Sequence, residues 1–116
     1  GYLIELGNGL EALDPRLKND QHLIKGCQSR VWLVPEFRDG KIYFQGESDA
    51  VIVKGLVVLL LRVVSGHTPK EIMESELHFV DDLGLRQHLS PTRSNGLLAM
   101  IKQIKLYAVA YNRIAN

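Results

Sequence analysis

Cysteine is all but missing from this chain, and Cys27 has no second thiol to pair with. That scarcity excludes an intramolecular disulfide framework and any thiolate-caged zinc site, because both require several cysteines. An excess of one charge is missing too. Fourteen Lys and Arg stand against 13 Asp and Glu, for a net charge of +1. With no basic stripe interleaved with aromatics, direct nucleic-acid binding is disfavoured. Long apolar runs are also absent. The longest, Ala50 to Val64, is interrupted by Lys54 and Arg62 and falls short of the ~20 residues that span a bilayer. It reads instead as a buried helix. Neither a signal peptide, an internal repeat, a low-complexity tract nor a linker stands out. What remains, 116 residues with 46% hydrophobic content, suits one domain around one core.

Leu3, Leu6, Leu10 and Leu13 recur at helical spacing, and Asp14-Pro15 is expected to end that helix. Arg16 to Asp20 reads as a polar loop leading through His22 to the cysteine. Val31 and Leu33 alternate with Trp32 and Val34 as in a strand, Asp39-Gly40 is a two-residue hairpin turn, and Ile42 to Phe44 return. The hairpin is thus placed over residues 30–47. Ser48 or Asp49 is expected to cap a helix over 50–64 by accepting from its free N–H groups, with an exit at Ser65-Gly66. Thr68-Pro69-Lys70-Glu71 forms a capping box with proline at the first helical position, and about two helical turns follow. Phe79 to Leu83 reads as another turn closed by Gly84. A last helix opens at Ser90-Pro91 and sets Leu97, Ile101, Ile104, Ala108 and Tyr111 on one face. The fold class is α+β: a small antiparallel sheet packed against several helices.

The thiol has three conceivable uses: a buried spectator, a reactive group, or a group used between molecules. Cysteine is among the most often buried residues, which favours the spectator. The neighbours favour presentation. Gly26 frees the backbone, Gln28 and Ser29 are polar, and Lys25 and Arg30 are placed to favour a thiolate. Apolar burial would act the other way on a group whose free pKa is ~8.5, and the sequence leaves that contest open. A Cys–His hydrolase pair with His22 or His88 lacks an oxyanion signature. His22, His67, His78 and His88 show no i, i+4 pairing for a metal. Lys54-Gly55 lacks the glycine-rich loop of a phosphate cradle. Asp49 reads as a helix cap before it reads as a catalytic acid. Arg93, at a loop-to-helix entry, has three readings: a pin for the cysteine loop, a contact for an acidic partner, or a solvated side chain. His88 reads as structural before it reads as a proton donor to a leaving thiolate.

Three ordered stretches carry a resemblance. Gly26-Cys27-Gln28-Ser29-Arg30-Val31-Trp32 resembles the cysteine motif of the SufE family, sulfur acceptors of iron–sulfur cluster assembly. Gly46-Glu47-Ser48-Asp49-Ala50, running on to Val53-Lys54-Gly55-Leu56, is similar to that family's second segment, with Glu47 in place of its usual aspartate. Gln87-His88-Leu89-Ser90-Pro91-Thr92-Arg93-Ser94-Asn95-Gly96-Leu97 is similar to its third, and Tyr2-Leu3-Ile4-Glu5-Leu6-Gly7 to its opening. The resemblance runs nearly end to end, so residues 1–116 are expected to form one SufE-like domain that lacks the family's leading helical segment.

The resemblance implies a SufE/IscU-like fold and a persulfide carrier that is no enzyme in its own right. Cys27 would take sulfur from a cysteine desulfurase (SufS-like), stimulate that enzyme, and deliver the sulfur to a cluster scaffold (SufBCD-like). Gly26, Gln28, Ser29, Asp49, His88 and Arg93 would support the thiol or bind the partner. Pyridoxal phosphate would belong to the desulfurase, and this chain would carry no cofactor or metal. Neither a nucleic acid nor a membrane is an expected partner, and a homodimer stays open. A lone thiol suits a courier, because a second cysteine would attack the new persulfide and release sulfide. It also suits a reducing, cytoplasmic setting. One thiol cannot hold a cluster, so the chain is no scaffold. The alternatives are a paralogous acceptor feeding another sulfur route, or a non-covalent desulfurase regulator with a buried Cys27.

Overall fold

The computed structural model describes the backbone of residues 1–75 and 91–115 and the side chains of 1–75 and 95–114. In chain order the elements are helix α1 (Tyr2–Asn8), a 3-10 turn (Pro15–Leu17), strands β1 (Val31–Arg38) and β2 (Lys41–Ser48), and helices α2 (Val51–Val64), α3 (Pro69–Glu74) and α4 (Pro91–Ala115). The expected turn at Phe79 to Leu83, together with His78 and His88, lies outside the described residues.

The hairpin forms where the sequence places it, shifted by one residue at each end. Val31 pairs with Ser48 and Arg38 with Lys41. Asp39 and Gly40 both take positive φ, 52° and 76°, the mirror-image turn whose twist matches the strands. Strand β2 alternates strictly, burying Ile42, Phe44, Gly46 and Ser48. Val31 and Leu33 of β1 point to the same core, while Trp32 is buried on the opposite face beneath Lys18 and Arg30, whose charged groups lie 4.9 and 5.9 Å from its ring. Both strands are edges. The outer edge of β1 is covered by a bridge from Leu23 to Trp32, and that of β2 by a bridge from His67 to Ile42.

Helix α2 packs on β2 and buries Val53, Leu56, Val57, Leu60 and Val64, but not all round. Val51, at 53% exposure, and Val63 face outward. The run is therefore amphipathic with an apolar outer rim. Helix α4 closes the core with Leu97, Met100, Ile104 and Ala108; Ile101 and Tyr111 of the expected face are half-buried against it. Met100 joins them, one turn from Leu97. Aromatic pairs link this helix to the hairpin: Phe37 stacks on Tyr111 at 5.1 Å and Phe44 meets Tyr107 at 6.4 Å. The capping box at Thr68 and Glu71 is complete.

Two expectations are corrected. Helix α1 stops at Asn8 and does not reach Asp14. Gly7-Asn8-Gly9 combines poor helix formers, and the chain beyond is held by other partners: Leu13 N–H donates to a Glu47 carboxylate oxygen at 3.0 Å and its side chain is buried. Asp14 then caps the 3-10 turn by accepting from Arg16 N–H at 3.0 Å. The second correction concerns α2, whose cap is Ala50 with no side-chain bond. Ser48 accepts only from Ala50 N–H, at 3.2 Å, and Asp49 is turned to Arg30.

Candidate functional site: the Cys27 loop

Residues 25–30 form a loop whose two ends are tied. At the base, Ile24 N–H donates to the Val31 carbonyl at 2.8 Å. At the far end, the Arg30 carbonyl accepts from the Ser48 hydroxyl at 2.8 Å and from Asp49 N–H at 3.2 Å. The Asp49 carboxylate takes the Arg30 backbone N–H at 3.1 Å and its guanidinium Nε at 3.2 Å. Between these anchors Gly26 adopts φ +91°, a conformation that a side chain would strain. That turn directs Cys27 inward. Its thiol donates to the Gly96 carbonyl of α4 at 3.5 Å, a weak sulfur hydrogen bond, and the residue is half-buried.

The sulfur borders a cavity of about 480 Å³. Gln28 and Ser29 line it from the loop, Ala50 to Val53 from the start of α2, and Val31, Leu56 and Met100 from the core. Burial beside these apolar side chains pushes the Cys27 thiol pKa up. The contest left open by the sequence goes to burial. Arg30 is engaged by Asp49, and exposed Lys25 lines a different groove. In this conformation burial works against an activated thiolate at Cys27.

Of the expected site residues, the structure gathers Gly26, Cys27, Gln28, Ser29 and Asp49 into one loop and its tether. Arg93 falls in the first turn of α4, with its side chain outside the described set, as is His88. His22 makes no hydrogen bond to the thiol: its Nδ1 is hydrogen-bonded to the Leu17 carbonyl at 2.9 Å, and Cys27 Sγ donates to Gly96 instead. Among the described residues no three His, Cys, Asp or Glu converge as a metal site. Sequence reasoning missed Gly96, Met100 and the first turn of α2 as the walls around the sulfur. Gly96 stands out in the sequence only as a glycine inside a helical pattern, and a Cβ there would sit 3.6 Å from Cys27 Sγ, an ordinary van der Waals contact.

Comparisons with known proteins bear on the fold and the family. The solution structure of a hypothetical protein from Thermus thermophilus is similar over 94% of this chain and 80% of its own, with a TM-score of 0.77 at 21% identity. That likeness speaks for the α+β fold. No helix among the described residues is long and apolar enough to cross a membrane. The family model described as "SufE: Fe-S metabolism associated domain" matches residues 1–108. A match over that length makes the chain a member of the SufE family, with a place in iron–sulfur metabolism.

Proposed function

We propose that the protein is a covalent sulfur carrier whose Cys27 accepts sulfur from a cysteine desulfurase and passes it to a cluster-assembly scaffold. The observation that carries the reading is the setting of its sole thiol: half-buried against Gly96, beside an apolar cavity, on a loop tied at both ends. The Cys27 thiolate attacks the outer sulfur of the donor's persulfide. The donor's S–S bond breaks, the donor cysteine leaves as thiolate with the electron pair, and Cys27 becomes the persulfide. No oxidant is needed. Delivery repeats the step with Cys27 as the leaving group.

A persulfide's terminal sulfur is a stronger acid than a thiol, so the loaded group carries negative charge. The first turn of α2 lines the cavity with no side-chain cap on its N–H groups, and such a terminus favours an anion. Half-burial beside Val31, Leu56 and Met100 restricts access of oxidants and stray thiols to the sulfur. Transfer requires the sulfur to leave this shelter, with Gly26 as the pivot between the fixed ends of the loop. The pyridoxal phosphate that generates the donor persulfide belongs to the desulfurase.

The test is desulfurase turnover with the wild-type protein and with Cys27→Ser under excess cysteine. The carrier reading predicts stimulation by the wild type and none by Cys27→Ser. Equal stimulation by both would mean a non-covalent regulator.

A further inference from the structure

Segment 20–26 and helix α4 enclose a second, larger groove of about 740 Å³ that shares no lining residue with the sulfur cavity. Its helical wall is a ladder of Leu98, Lys102 and Leu106 at i, i+4 and i+8, with Ala99 beside it. The two leucines are 51% and 52% exposed and stand one turn to either side of Lys102. The opposite wall carries Leu23 and is fixed by the Leu23–Trp32 bridge. Lys25 and Lys102 line the groove against a single carboxylate, Asp20, and none of the three forms an ion pair among the described residues.

Gly26 belongs to both places. It lines the groove, and a Cβ on it would meet the Ala99 Cβ at 3.4 Å, so the loop leans directly on the groove's helix. Taking the carrier role proposed above as given, the donor's sulfur must reach bonding distance of a half-buried Cys27. The donor protein then covers the loop, and a stable protein interface buries roughly 800 Å² per partner. A footprint of that size centred on Cys27 takes in the adjoining groove. We infer that this groove is the docking site of the cysteine desulfurase, which seats an apolar side chain between Leu98 and Leu106 and sets carboxylates against Lys25 and Lys102. Occupancy also places the partner against Gly26, where it bears on the loop that must open.

The experiment measures affinity for the pyridoxal-phosphate-loaded desulfurase of the same organism at low and high salt. Leu98→Asp, Lys102→Glu and the distant surface control Val63→Asp are compared with the wild type. Cys27 alkylation by iodoacetamide, measured in parallel, reports an intact loop. The expected result is a loss of about tenfold in affinity for Leu98→Asp and Lys102→Glu, a weaker salt dependence for Lys102→Glu, and no change for Val63→Asp. Should Leu98→Asp fail to fold, Lys102→Glu carries the comparison. Affinities within about twofold of wild type for both groove variants, or no binding by the wild type, would overturn the proposal. So would loss of self-association in Leu98→Asp with desulfurase affinity retained, since the groove would then serve a second copy of this chain. A wild type that binds through the groove yet gains no sulfur would leave the docking site standing and sink the carrier reading.

Discussion

Cys27 is held in a state that protects it and also slows it. Burial disfavours its thiolate, so its pKa is raised on folding. Proton linkage then has a definite sign. The folded chain binds the proton more tightly, so this group's contribution to stability is present below the unfolded thiol's pKa and is lost as pH rises through the folded value. Alkylation by iodoacetamide, followed against pH, should show a midpoint above that of the same chain in urea; a lower midpoint would contradict the sheltered thiol. The tether gives a second expectation at this scale. Asp49→Ala removes two hydrogen bonds to Arg30 and should speed Cys27 alkylation at fixed pH, whereas an unchanged rate would show that the Ser48 bond and Ile24–Val31 suffice. The thiol and its polar neighbours were legible in the sequence because they are contiguous. The role of Asp49 was not, since its partner lies 19 residues away, and the cap it was expected to form is local.

Among the elements, local chemistry was readable and local periodicity was not always decisive. Asp39-Gly40 and the Thr68–Glu71 box formed as expected, because turn and cap residues act within four positions. Thr68→Ala should cost about 1 kcal/mol by losing the cap bond to Glu71 N–H, measurable by urea unfolding. The leucine spacing over 3–13 misled, because glycines at 7 and 9 and the demands of Glu47 outweighed it. Gly7 serves a different purpose. Helix α1 crosses α2 so closely that a Cβ on Gly55 would overlap the Leu3 backbone, and one on Gly7 would lie 2.8 Å from the Lys54 Cβ. Gly55→Ala should therefore destabilise by about 1–3 kcal/mol through overpacking. Unfolding at the wild-type urea midpoint would argue against so tight a crossing.

Across the whole molecule, the sulfur's shelter is assembled from three distant stretches: the loop at 27–31, the start of α2 and the second turn of α4. No periodicity in any one of them announces that they meet, which is why the sequence yielded the nucleophile without its cavity. Helices and hairpin share one core, so the cavity depends on global packing. Carriage of sulfur on Cys27 as a persulfide is read out by intact mass measured without reductant. After incubation with a cysteine desulfurase and cysteine, the wild type should gain one sulfur, about 32 Da, removable by reductant and absent in Cys27→Ser. An unchanged mass with a desulfurase that the protein demonstrably binds would contradict the claim.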